Sequence, residues 1–203
     1  MLETPFSRNT REKYLVLLNI VNYRLTMHSE KVSSADNQQE RLRIEGWLVG
    51  FTDGEGAFTV SIIKNHTSKI GWQVFPEFIV TQGAKSKDVL FLFQEYFKCG
   101  HVYLNRRFDN HNENIYRYCV RSLKDLRSAI IPFYANNPLK THKAEDFKLF
   151  CLIMDMISVG DHLSIQGIRD IAHIAMGMNR KAKPKFLESS QTIRQTPPPA
   201  GKI

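Results

Sequence analysis

The order of patterns along the chain predicts an α+β protein built on antiparallel hairpins: a helix, a hairpin, a second helix, a second hairpin, then further helices. Three observations carry this. Residues 57–65 (AFTVSIIKN) and 72–82 (WQVFPEFIVTQ) are rich in β-branched and aromatic residues with alternation, and residues 64–70 between them read as a turn. Residues 101–108 (HVYLNRRF) and 114–122 (NIYRYCVRS) form a second such pair around Asp109-Asn110-His111-Asn112, a turn composition. Between and after the hairpins, apolar residues recur at helical spacing.

Taken in order, residues 11–27 (REKYLVLLNIVNYRLTM) have helical spacing, and residues 28–40 (HSEKVSSADNQQE) read as a polar linker. Residues 1–40 are therefore expected to be an N-terminal extension, 41–180 the main domain, and 181–203 a basic, Pro-rich flexible tail. Within the main domain a helix is expected from Arg41 to about Gly54. Ser86 is placed to cap a helix striped by Val89, Leu90, Phe93 and Phe97, with Gly100 ending it. Ser122 opens a helix through Pro132. Further helices are expected over Lys143–Ile157, broken at Gly160, and over Ile165–Met178.

Twenty-eight Lys and Arg against 20 Asp and Glu give a formal charge of +8 and a pI near 9.4, which suits a polyanionic partner. Cys99, Cys119 and Cys151 are far apart and form no CxxC pair, so neither a zinc site nor a disulfide framework is expected. His101, Asn105 and His111 find no further metal ligands. Apolar runs such as 14–20 and 149–154 fall far short of the roughly 20 residues that span a bilayer, and no membrane partner is expected. The start, Met-Leu-Glu-Thr-Pro, has neither a secretory nor a transit composition, so Asn65-His66-Thr67 is a sequon without a secretory route.

The most informative stretch is Ile44 to Phe58, IEGWLVGFTDGEGAF. Gly46, Gly50 and Gly54 recur every fourth residue and so share one helical face, at about 1 kcal/mol each relative to Ala. Close approach of another backbone would compensate; Trp47, Leu48, Val49 and Phe51 supply an apolar helix face. Asp53 and Glu55 sit where the helix ends, and carboxylates there oppose its dipole and invite a cation: Lys, Arg, or a hard divalent ion such as Mg²⁺. A nucleotide-binding loop fails on spacing, because Gly54-Glu55-Gly56 is followed by neither a third glycine nor a helix.

Leu48 to Gly56, LVGFTDGEG, resembles the signature of the LAGLIDADG homing endonucleases, with Glu in place of the second Asp. The resemblance continues through EFIVTQ (77–82), IIPFY (130–134), PLKTHKAEDFKLF (138–150) and HLSIQGIRDIAHIAMGMN (162–179), and covers about residues 44–179. It implies an αββαββα fold whose antiparallel sheet forms a DNA-binding saddle. With one signature present, it implies a homodimer acting on double-stranded DNA, with Gly46, Gly50, Phe51 and Gly54 at the dimer interface. Glu55 matches the carboxylate that binds the catalytic metal, Gly54 matches an auxiliary carbonyl ligand, and Asp53 matches a structural position. Gln82 matches a residue that positions water near the scissile phosphate. A basic active-site residue falls on Lys140, with Lys143 close enough to compete. A basic residue expected just after Gln82 is displaced, since Gly83 and Ala84 follow.

Strand alternation nominates base readers: Thr59, Ser61, Asn65, Gln73 and Phe75, then Tyr103, Asn105 and Arg107, and more weakly Tyr116. The expected activity is a double-strand break in a long, near-palindromic target by Mg²⁺-dependent phosphodiester hydrolysis, with Mn²⁺ as a substitute, promoting intron mobility. Two alternatives share the fold: an intron maturase with RNA as partner, and a DNA-binding protein without catalysis. The resemblance also suggests an intron-encoded origin in an organelle or an archaeon.

Overall fold

The computed structural model describes residues 34–105 and 114–178; the expected N-terminal helix over 11–27, the second hairpin's turn and the C-terminal tail lie outside the described residues. Helix α1 (Ser34–Glu55) leads directly into strand β1 (Gly56–Lys64), which returns as β2 (Trp72–Gly83). After a 3₁₀ turn (Ala84–Ser86) come helix α2 (Asp88–Phe97), strands β3 (His101–Asn105) and β4 (Ile115–Val120), and a helical run. That run comprises α3 (Leu123–Asp125), one π turn (Leu126–Ile130) and α4 (Ile131–Asn136). Helix α5 (Lys143–Ser158), a second 3₁₀ turn (Asp161–Leu163) and α6 (Ile165–Ala175) follow. The chain divides into two compact units between Glu45 and Gly46. In the first, Arg41 Nε donates to a buried Glu45 Oε1 at 2.7 Å, one turn apart on α1.

All pairing in the sheet is antiparallel, in the order β1-β2-β4-β3. One face is the core. Phe58 and Ile62 of β1, Val74, Phe78 and Val80 of β2, and Tyr118 and Val120 of β4 are buried there. Helices α2, α4 and α5 meet this face with aromatic rings: Phe58 lies within 5.4 Å of Phe78, Tyr134, Phe147 and Phe150, measured between ring centroids. Phe93 of α2 reaches Tyr118 at 5.8 Å. Such tilted and edge-on pairs add to the area they bury.

Several local expectations are corrected. Ser34–Glu40, read as linker from its polarity, is the first part of α1; Glu and Gln are good helix formers, and a polar face alone does not exclude a helix. Ser86 does not cap α2: it sits in the preceding 3₁₀ turn, and Lys87 occupies the cap position without a side-chain bond. The helix ends on Lys98 in the left-handed region (φ 53°), its N–H donating to the Gln94 carbonyl, rather than on Gly100. Gly100 also has positive φ (72°), and a Cβ there would come within 2.8 Å of Tyr118, the Cys119 carbonyl and Val120, so the residue just before β3 has to be glycine. Ser122 caps as expected, accepting from Asp125 N–H at 3.3 Å, but the helical run continues past Pro132. Proline lacks an N–H and crowds the carbonyl four residues back, and the backbone widens into the π turn just ahead of it.

Phe58 sits at the centre of the aromatic core with no exposed surface. Phe58→Ala is expected to lower the unfolding free energy by about 3–5 kcal/mol, read from urea denaturation; a loss below about 1 kcal/mol would show that the core is not organised around this ring.

Candidate active site

The site begins where α1 becomes β1. No loop separates them: Glu55 is the last helical residue, and Gly56 already pairs with Val80 of β2. A Cβ on Gly56 would lie 2.5 Å from Thr52 Cγ2 and 2.9 Å from its carbonyl, so this direct joint demands glycine. Thr52, one turn back, is fully buried and its hydroxyl shares a 2.6 Å hydrogen bond with the Tyr134 hydroxyl, pinning the end of α1 to α4. Burial raises the Tyr134 phenol well above its ordinary value, so this bond stays neutral.

A helix terminus leaves its last carbonyls without partners and a partial negative charge. Lys143, the first residue of α5, answers both: its Nζ donates to the Gly54 carbonyl at 2.8 Å and the Thr52 carbonyl at 3.2 Å. Partial burial pulls this ammonium below the usual lysine value, opposed by the carboxylates of Glu55, Asp53 and Asp146. In the opposite sense, Asp53 of α1 accepts from the Lys140 N–H (2.9 Å), the Thr141 N–H (3.1 Å) and the Thr141 hydroxyl (2.8 Å) in the segment preceding α5. Thr141 Oγ1 in turn accepts from Lys143 N–H at 3.3 Å. Partial burial raises the Asp53 carboxyl, but these bonds and the Lys143 charge outweigh it and hold the group below the ordinary aspartate value.

Among the expected catalytic residues, the structure therefore separates the two lysines. Lys143 brings its side chain to the end of α1, whereas Lys140 contributes its backbone N–H to Asp53 and its side chain is exposed. Glu55 is exposed beside the Gly54 carbonyl. Gln82 is half-buried on β2, two residues past the Val80 that pairs with Gly56, and so at the α1 end of the sheet. Gly46, Gly50 and Gly54 share an open face: among the described residues, a Cβ at any of them meets nothing within 4 Å. Phe51 differs, because it is half-buried against its own α2, its ring 5.7 Å from Phe93 and 4.9 Å from Trp47.

The sheet's second face collects the expected base readers. The register puts Thr59, Ser61 and Ile63 of β1 on it, beside Gln73, Phe75, Glu77 and Ile79 of β2, with Tyr103 and Asn105 on β3. Asn65 and Gln73 meet at the tip of the first hairpin, the Asn65 amide donating to Gln73 Oε1 at 2.9 Å. Asn65 Oδ1 also accepts from the Thr67 N–H and hydroxyl, an Asx turn that shapes the loop. Arg107 lies outside the described residues. Tyr116 is corrected: it pairs with Gln82 and shares the face of Tyr118 and Val80, with Lys87 Nζ 5.3 Å above its ring. Sequence reading passed over Arg117 and Arg121. Arg117 of β4 and Arg121, just past its end, alternate with Cys119 and so belong to the second face, but only the cross-strand register decides which face that is.

An α+β unit of this kind, with helices on one sheet face, polar strands on the other and a glycine-faced helix delivering a carboxylate to the sheet's edge, defines a narrow class. The LAGLIDADG endonuclease family model matches residues 48–154, just over half of the chain, and the chain belongs to that family. A probable intron-encoded endonuclease of Neurospora crassa is 34% identical over 140 residues, covering 68% of this chain and 25% of that protein. The crystal structure of the homing endonuclease I-TnaI superposes with a TM-score of 0.66 at 36% identity, covering 74% of this chain and 97% of that one. I-SmaMI bound to cleaved DNA gives a TM-score of 0.64 at 26% identity, covering 78% of this chain and 51% of that one. The chain spans 25–40% of the length of the first curated relatives it matches. No helix of the described residues is long and apolar enough to cross a membrane.

Asp53→Asn should remove one acceptor and oppose an amide N–H to the Lys140 and Thr141 donors, lowering Tm by roughly 2–4 °C at neutral pH. Because the folded carboxyl titrates below its ordinary value of 3.8, its contribution is complete above that value and lost as pH falls through the folded one. The Tm gap between the two proteins should therefore close as pH drops below about 4. A gap unchanged at low pH would show that Asp53 does not act through its charge.

Proposed function

We propose that the chain is a site-specific homing endonuclease that makes a double-strand break in a long, near-palindromic duplex by divalent-metal-dependent phosphodiester hydrolysis, acting as a homodimer. The observation that carries this is the end of α1: an exposed Glu55 and the Gly54 carbonyl stand at the tip of a glycine face whose three glycines have no described residue within 4 Å of an added Cβ. Such a face suits a second helix at close range. The span of the chain supports two copies, since it covers 97% of I-TnaI but only half of I-SmaMI.

Among the described residues, no group of three His, Cys, Asp or Glu could hold a metal within one chain. The donors that are present fit a shared site: carboxylate and carbonyl oxygens are hard ligands, suited to Mg²⁺, with Mn²⁺ as a substitute, when substrate phosphates complete the shell. The ion would supply charge stabilisation to the phosphate under attack. The chain's own parts are then distinct. Glu55 binds, Gln82 orients water by hydrogen bonds, and the Lys143 ammonium stands where negative charge develops. Lys140 serves through its backbone. The names of relatives as intron-encoded endonucleases support an intron-encoded, organellar setting in which the break promotes intron mobility.

Glu55→Gln should keep specific DNA binding and lose Mg²⁺-dependent cleavage, measured by a cleavage selection on a randomised near-palindromic library sequenced at the cut ends. Lys143→Met should cost at least about 100-fold in cleavage rate and Lys140→Ala only a few-fold. Retained cutting by Glu55→Gln overturns the active-site assignment, while RNA retention without cuts would favour a maturase. A Cβ on Gly50 meets no described residue within 4 Å, so Gly50→Leu should leave the protomer folded yet shift it from dimer to monomer by light scattering and abolish cutting.

A further inference from the structure

At the centre of the sheet's second face lies a carboxylate that a polar, open strand surface does not require. Glu77 is only 9% exposed and faces the strands expected to read DNA. Burying a carboxylate is costly unless it is paired. Arg121 donates through Nε to Glu77 Oε1, and Arg117 approaches Glu77 Oε2 at 3.8 Å. Arg121 is the more constrained, its guanidinium 5.7 Å from the Phe75 ring and 5.5 Å from the Tyr103 ring. These rings come from β2 and β3, the two strands that flank β4, so Arg121 is held by a carboxylate and two aromatic faces at once.

The bond to Glu77 engages Nε and leaves the terminal nitrogens of Arg121 as a fork, while its side chain stays 45% exposed. That fork matches the O6 and N7 acceptors of guanine in the major groove. Two guanidiniums against one carboxylate also keep the cluster net positive. We propose that Arg121 reads a guanine in each half of the target, with Glu77 as the positioning residue that fixes its orientation and Arg117 as the second cation that makes the buried carboxylate tolerable. The proposal rests on the DNA-cleaving reading above and adds the base class recognised and the residues that recognise it.

The test compares cleavage-selection profiles of the full chain with Arg121→Lys, Glu77→Gln and Glu77→Asp, alongside circular dichroism melts. The unmodified protein should require guanine at one position of each half-site. Arg121→Lys should relax that preference about ten-fold and leave other positions unchanged, because an ammonium cannot pair bidentately. Glu77→Gln should relax the same position, and Glu77→Asp should restore part of it, which a merely structural role would not do. Should Glu77→Gln fail to fold, Arg121→Lys, at a half-exposed position and with the charge kept, still decides. Binding weakened equally on all sequences by Arg121→Lys, with no single position relaxed, would make Arg121 a phosphate contact and overturn the proposal. So would an unchanged profile. A specific profile with no guanine position sinks this proposal alone, whereas no specific DNA retention by the unmodified protein sinks the DNA-cleaving reading with it.

Discussion

The end of one helix and the start of another hold each other by exchanged charges, and the site depends on that exchange. Asp53 leaves α1 to satisfy the N–H groups ahead of α5, and Lys143 leaves α5 to satisfy the carbonyls that end α1. Each terminus carries the partial charge that the other's side chain opposes. Residues nearly ninety apart in sequence thereby become neighbours, and Glu55, two places from Asp53, is set at the sheet's edge. The Thr52–Tyr134 bond beneath supplies a neutral, buried anchor for the same turn.

The sheet divides its labour by face. Aromatic rings from three helices fill one side, and their interlocking fixes the register that a strand needs if its alternate residues are to present a defined surface. On the other side polar residues are spread along β1 to β3, and of the few buried groups, Glu77, Ile79 and Cys119, the acid is paired with Arg117 and Arg121. A buried acid on such a face is costly by itself but gives two flexible cations a common reference point.

Much of this was legible in the sequence because local patterns and global fold agree. The αββαββα order follows from hairpin alternation and helical spacing, and the LVGFTDGEG phrase places Glu55 and the glycine face directly. Where sequence reading stopped short, long-range geometry decided. Nothing in residues 138–143 says which lysine turns toward α1; the choice follows from Asp53 taking the backbone of Lys140. Tyr116, Arg117 and Arg121 could be assigned to faces only once the pairing of β4 with β2 was known, since a shift of one residue exchanges them. The polar start of α1 shows the reverse case, in which composition suggested a linker and backbone propensity won.

The joint between α1 and β1 has one more consequence. With no loop between Glu55 and Gly56, the path from the carboxylate to the first outward strand residues is fixed by backbone geometry at about 3.3 Å per residue. A loop would act as a coupling with play in it; this junction is a ruler. Under the proposed reading, the offset between the bond that is cut and the bases read by Thr59 and Ser61 is a covalent constant of the molecule. Such an enzyme can drift to new targets by exchanging side chains along the strands, but not by sliding its cut relative to the sequence it recognises. One inserted residue at the joint would turn the whole strand over and present the core to solvent.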